Sequence, residues 1–206
     1  MGKTLIPMGK MSRREGVALS ASTSVLKVMQ KRPYAPGVHG KAGGRPAKVS
    51  VFGTQLREKQ KAKRLYGIME RQFRNYFVKA TGMEGNTGEN LGRLLELRLD
   101  NTVYRLGFAK TRPQARQMVS HCMFYVNGKK LNIPSYTVQV NDVIEIKASK
   151  KEKKVFSDLE ERLKTHRTAG WLHRDDLVGK VVSLPMGDDL KEAYDPKLII
   201  EFYSMR

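Results

Sequence analysis

Between Phe52 and Ala80 the apolar positions Leu65, Met69, Phe73, Tyr76, Phe77 and Ala80 recur at spacings of three and four. That period predicts helix with one buried face. Gly67 divides the stretch into two helices. Arg57, Lys61 and Arg64 fall at i, i+4 and i+7 and form a stripe of one sign. Solvated faces usually alternate charges. A second periodic run, Leu91, Leu95, Leu99, Val103 and Leu106, predicts one helix from Leu91 to Leu106, with Arg98 and Arg105 off its core face. The polar, glycine-rich "TGMEGNTGEN" before it reads as a linker.

The stretch "TRPQARQMVSHCMFYVNGKK" changes period midway. Thr111 and Gln114 have the spacing of a capping box, and Pro113 is tolerated in a first turn. Ala115, Met118, Val119 and Cys122 then face inward, with Arg112 and Arg116 on another face. Phe124–Val126 is a short strand, and Asn127–Gly128 is a strong two-residue hairpin signal. Lys129 and Lys130 follow at once. "YTVQVNDVIEI" alternates and predicts further strands around a turn at Asn141–Asp142. Residues 147–170 read as a charged connector, helical in its second half. "WLHRDDLVGKVVSLP" supplies an apolar patch around Trp171. "KLIIEFYSMR" reads as a terminal strand that returns to an earlier domain.

The first 50 residues show no such period. "KRPYAPGVHGKAGGRP" combines fixed proline φ angles with permissive glycines, which predicts a shaped cationic loop lying along phosphates. A disordered basic arm is the alternative.

Charge narrows the function. The 206 residues hold 39 Lys+Arg against 20 Asp+Glu, a net +19. The excess is +9 over residues 1–50, +4 over 51–90, +6 over 91–150 and zero over 151–206. A polyanionic partner is expected, and it should meet the first 150 residues. The neutral tail is expected to meet protein. Cys122 is the single cysteine, so no intrachain disulfide forms, and the four histidines lack metal-ligand spacing. No apolar run approaches the ~20 residues of a membrane span. The N-terminus has no hydrophobic signal region, and a reducing, cytoplasm-like compartment follows. Gly2–Lys3–Thr4 lacks the upstream glycine and strand of a phosphate loop. Asp175–Asp176 and Asp188–Asp189 are adjacent in sequence, where carboxylates rarely face each other. Nothing in these patterns predicts an enzyme.

From "RLDNTVYRLGFAKTRPQARQMVSHCMFYVNGKKLNIPSYTVQVNDVIEIK", Arg98 to Lys147, the chain resembles the RNA-binding domain named after the bacterial small-subunit ribosomal protein S-four. The flanks are similar to that ribosomal family itself: "SRREG", "RPYAPGVHG", "QLREKQKAKRLYGIMERQFRNYF", "GNTGENL" and "LIIEFYS". The resemblance implies an α+β fold of two domains. A mainly helical domain, 1–90, is joined by the tail from about 170 to 206. An inserted RNA-binding domain, 91–150, holds helices and a small antiparallel sheet (the αL-type motif), with a connector at 151–170.

The same resemblance implies a structural constituent of the small ribosomal subunit that binds 16S-type rRNA at a multi-helix junction of the 5′ domain. It also implies a contact with protein S-five that bears on translational accuracy, a position near the mRNA entry channel and, in some members, repression of their own mRNA. Arg98, Arg112, Arg116, His121, Asn127, Lys129 and Lys130 match its RNA-facing helix and hairpin. Arg32, Pro33, Tyr34, His39, Arg57, Lys61 and Arg64 match the RNA side of the helical domain. Lys41 and Arg45 match the loop region near the mRNA path, although "GKAGGRPAK" is longer than in many relatives. Zinc-carrying members place cysteines near Gly9, Ser12, Ser22 and Lys27, so no zinc or other cofactor is expected. No membrane and no small-molecule substrate is expected either. The location is the cytoplasm, or a plastid for a plastid-encoded member.

Two rivals remain. "RLDNT" resembles a pseudouridine synthase motif with Asp100 as would-be catalyst, but no synthase-sized domain follows. A free stress-type RNA binder would need only the small domain.

Overall fold

The computed structural model describes residues 6–40, 49–150 and 153–205. Its α-helices and strands, in chain order, begin with α1 (Met8–Glu15), α2 (Thr23–Lys31), α3 (Val51–Leu65), α4 (Glu70–Thr81), α5 (Thr87–Glu96), α6 (Leu99–Arg105) and α7 (Arg112–Ser120). There follow β1 (Phe124–Val126), β2 (Lys129–Lys130), β3 (Val143–Ile146), α8 (Leu159–Thr165), β4 (Leu172–Asp175), β5 (Val178–Val181) and α9 (Pro196–Ser204). The fold is α+β. It divides into two units, Met1–Leu91 with Glu192–Arg206, and Gly92–Lys191. No helix among the described residues is long and apolar enough to cross a membrane.

The first unit is helical. Its last element differs from the expected strand, because Leu198–Ser204 lies in α9. Asp195 accepts a hydrogen bond from the Lys197 amide at 2.8 Å, and Pro196 occupies the first turn. This is a helix start that an apolar run alone does not reveal. Ile199 and Phe202, three apart, are buried, and α9 packs along α3. Phe202 lies 5.5 Å from Phe52, and Tyr203 stacks on Phe77 at 4.5 Å.

Glu70 ties this seam together. Its carboxylate accepts from Lys59 at 2.7 Å, Lys63 at 2.9 Å and the Tyr203 hydroxyl at 3.0 Å. Burial acts to raise the Glu70 carboxyl, but the hydrogen bonds from Lys59 and Lys63 outweigh it and hold it down to about 2. A carboxyl lowered by folding stabilises the fold above its unfolded pKa and loses that contribution as pH falls toward the folded value. Between about pH 4.5 and 2 the wild type should therefore lose stability more steeply than Glu70→Gln. Urea midpoints taken at stepped pH check this, and parallel profiles would contradict it.

The second unit carries an antiparallel five-stranded sheet in the order β2-β1-β3-β5-β4. Its core joins Leu99 and Val103 of α6, Leu106 just after it, and Ala115, Met118 and Val119 of α7 to Phe124, Ile144 and Val181 of the sheet. Trp171 is also buried there. The hairpin β4–β5 thus belongs to this sheet through β3, with Ile144 opposite Gly179. A Cβ on Gly179 would stand 2.4 Å from a Leu106 methyl, so glycine lets strand and helix approach. The return to the helical unit begins near residue 192 rather than 170.

The single helix expected from Leu91 to Leu106 is also two. It breaks at Leu97–Arg98, where the backbone turns extended and pairs with residues 136–138. Leu99 N–H donates to Tyr136 O at 2.8 Å, and Val138 N–H donates to Leu97 O at 2.9 Å.

Three helices stop on one hydrogen-bond pattern. After α3, α6 and α7 the amides of Ile68, Phe108 and Met123 reach five residues back, with Gly67, Gly107 and Cys122 at positive φ. This is the Schellman stop, which favours glycine. Cys122 holds φ 54° with a Cβ present, and it lies beyond the helix, half-exposed rather than inward. Cys122→Gly should raise stability by about 0.5–1 kcal/mol. A denaturation midpoint that fell on this change would contradict the assignment of strain.

Candidate nucleic-acid interface

Thr111 caps α7 by accepting from the Gln114 amide at 3.3 Å, and Gln114 reaches back to the Lys110 amide at 2.7 Å. Ala115, Met118 and Val119 anchor the helix in the core, which turns Arg112 and Arg116 toward α6. There a buried ionic network meets them. Glu96, with its side chain fully buried, accepts two hydrogen bonds from Arg105, at 2.8 and 2.9 Å, and one from the Asn101 amide at 2.9 Å. Asn101 in turn accepts from Arg112 Nε at 2.7 Å. Arg112 also approaches Glu96 at 3.8 Å and lies over the Tyr104 ring at 4.8 Å. Arg116 stands 3.6 Å from Asp100. Four arginines (98, 105, 112 and 116) face two carboxylates, a net +2 in a partly desolvated setting.

Arg98 departs from the expectation. The sequence places it among RNA-facing cations, whereas its side chain is 0% exposed and grips Asp100 through two bonds at 3.1 and 2.7 Å. The extended break before α6 turns it inward, so it offers no surface to a partner. The same grip answers the enzyme alternative. Asp100 is buried, and both its carboxylate oxygens are bonded to Arg98.

The hairpin begins two residues beyond the Schellman stop. Asn127 and Gly128 both have positive φ, as the tight two-residue turn requires. Asn127 is an internal pin rather than an outward reader. Its amide donates to Asp142 at 2.7 Å, and its carbonyl accepts from the Val143 amide at 2.9 Å. Lys129, Lys130 and His121 are exposed, and among the described residues none has an acidic partner. Helix and hairpin thus rest on one core, held apart by a fixed link.

In the helical unit the α3 stripe is less bare than its sequence suggests. Glu15, buried at the end of α1, pairs with Arg64 and, at 3.4 Å, with Arg57. Burial pushes the Glu15 carboxyl above the ordinary range, against the pull of Arg64 and Arg57. Lys61 pairs with Glu58 at 2.5 Å. The Glu15 counter-charge arrives from 42 and 49 residues away, beyond any local pattern.

Arg13 was not among the candidates, yet it shapes the loop that holds two of them. It donates to the carbonyls of Arg32 at 2.9 Å and Tyr34 at 3.0 Å, and lies 5.0 Å over the Tyr34 ring. Arg32 is exposed and Tyr34 half-buried. Lys41 and Arg45 lie outside the described residues, as does the side chain of His39.

Fold and surface together define a basic α+β binder of polyanions, built from a helix-and-hairpin unit and a helical unit. Comparison with known proteins makes the class particular. Residues 5–96 match the family described as the ribosomal protein S4/S9 N-terminal domain, and residues 97–144 match the S4 domain. The chain is 48% identical over 210 residues to the small ribosomal subunit protein uS4 of Caldicellulosiruptor saccharolyticus, covering 99% of the chain and the whole of that relative. It is 47% identical over 208 residues to the same protein of Chloroflexus aurantiacus, with 99% and 100% covered. With that of Persephonella marina it shares 47% over 208 residues, with both chains wholly covered. The chain belongs to the bacterial-type uS4 family of small ribosomal subunit proteins. Its relatives are named as ribosomal proteins, not enzymes.

Proposed function

We propose that the chain is a structural constituent of the small ribosomal subunit, in a bacterial-type cytoplasm, that binds 16S-type rRNA where several helices meet in the 5′ domain. The observation that carries this reading is the placement of the α7 arginines and the hairpin lysines on one rigid core. Two cationic ridges at a fixed separation suit two backbones that converge. Cations that displace condensed counterions supply affinity through counterion release. Structured RNA is read by shape, phosphates and 2′-hydroxyls.

Within this reading His121, Lys129 and Lys130 face RNA as exposed side chains, and Arg112 and Arg116 through the 12% and 19% of theirs that stay uncovered, together with Arg32, Tyr34 and the α3 stripe. Arg98 and Asn127 hold the surface in place. Binding early to rRNA would nucleate assembly. A contact with protein S-five, a position near the mRNA entry and repression of its own mRNA belong to the same proposal, on family resemblance. Arg112→Ala and Arg116→Ala should each weaken binding to small-subunit rRNA and lower the salt slope by about 1. Filter binding over a salt series measures this, and an unchanged slope would refute it.

A further inference from the structure

The helix α4 of the helical unit carries a cationic face, none of whose residues was among the RNA-facing candidates. Arg71, Arg74, Asn75, Val78 and Lys79 are the exposed positions along α4 from Arg71 to Lys79. At 100° per residue they fall on one face about 140° wide, and Arg71 to Lys79 spans about 12 Å of axis. The opposite face fixes the rotation of the helix: Phe73 and Ala80 are fully buried, and Phe77 stacks on Tyr203. Three of the five exposed positions are cationic and none is acidic.

The acid nearest in sequence, Glu70, is turned away and held by Lys59, Lys63 and Tyr203. Among the described residues Arg71, Arg74 and Lys79 therefore have no acidic partner. The α3 stripe differs, since its three cations meet two carboxylates, Glu15 and Glu58. The outer face of the sheet differs too. There Lys130 and Lys180 share the surface with Glu145 and Asp175. Along α4, positive charge stands without an acidic partner over two helical turns, with a hydrogen-bonding amide and a 61% exposed valine in the middle.

On the reading that the chain binds rRNA, we propose that the outer face of α4 is a further site for the RNA backbone. Arg71, Arg74 and Lys79 meet phosphates. Asn75, both donor and acceptor, meets ribose 2′-hydroxyls, and Val78 packs on the sugar edge. A-form RNA displays these groups together along its wide minor groove, so the site fits the flank of an RNA helix rather than a base-specific loop.

The test uses the full chain and small-subunit rRNA in filter binding over a salt series. The variants are R71A/R74A, K79Q, N75A and R112A/R116A, with thermal melts confirming that each is folded. R71A/R74A should lower the salt slope by about 2 and K79Q by about 1. N75A should keep the slope but narrow the preference for RNA over DNA of the same sequence. Wild-type slopes in R71A/R74A and K79Q, beside a reduced slope in R112A/R116A, would overturn the α4 site and leave the function standing. An acidic protein as the true occupant would give that same result. Failure of the wild type to bind rRNA would instead overturn the underlying reading.

Discussion

Asp100→Ala should destabilise the second unit by about 3–5 kcal/mol, the cost of taking the paired carboxylate from a buried guanidinium. Arg98 is wholly enclosed, and Asp100 holds it through two charge-assisted bonds, at 3.1 and 2.7 Å. Asp100 also accepts from the Asn101 amide at 2.9 Å, in the first turn of α6 where a negative charge suits the helix dipole. The single tryptophan, Trp171, is buried in this unit's core, so its fluorescence reports the relevant unfolding in urea. The pair need not be a net source of stability. Arg98→Met with Asp100→Leu should recover most of the loss, since a buried ion pair and a packed apolar pair are often similar in free energy. A loss below about 1 kcal/mol in Asp100→Ala would show that water reaches Arg98.

Phe202→Ala should destabilise the helical unit by a similar amount, about 3–5 kcal/mol. The ring is 1% exposed. It touches Phe52 at the start of α3 and sits under the Lys59 ammonium at 4.5 Å. Its removal opens a cavity between α3 and α9 and loosens the seam that Glu70 bridges. Thermal unfolding followed by far-ultraviolet circular dichroism measures the loss. Hydrogen exchange should show the amides near Glu201 opening first. A midpoint within error of the wild type would mean that α9 is an appendage rather than part of the core.

What could be read from sequence follows the range of the interactions involved. The α7 cap, the inward set Ala115, Met118 and Val119, and the Asn127–Gly128 turn are local, and each lies within a few residues of its cause. The errors come from partners far along the chain. Arg98 is buried because residues 97–99 pair with 136–138. Trp171 and the β4–β5 hairpin belong with β3, about 30 residues away. The α3 stripe reads as bare because Glu15 meets Arg57 and Arg64 from α1, although Glu58, the partner of Lys61, is local. The terminal strand failed for a different reason. "LIIEFY" is apolar at nearly every position, so periodicity cannot separate strand from buried helix. The Asp195–Pro196 start signal was the local clue. The α4 face was also legible, since the i, i+3, i+8 spacing of Arg71, Arg74 and Lys79 needs no structure to see.

The most direct test is competition binding. Purified full-length chain is offered labelled 5′-domain rRNA at moderate ionic strength, against a growing excess of duplex RNA of arbitrary sequence. Two cationic elements set at a fixed separation should hold the converging backbones of the folded junction in preference to the duplex, with a footprint confined to that junction. Equal displacement by the arbitrary duplex would contradict the account, because charge alone would then explain all the binding.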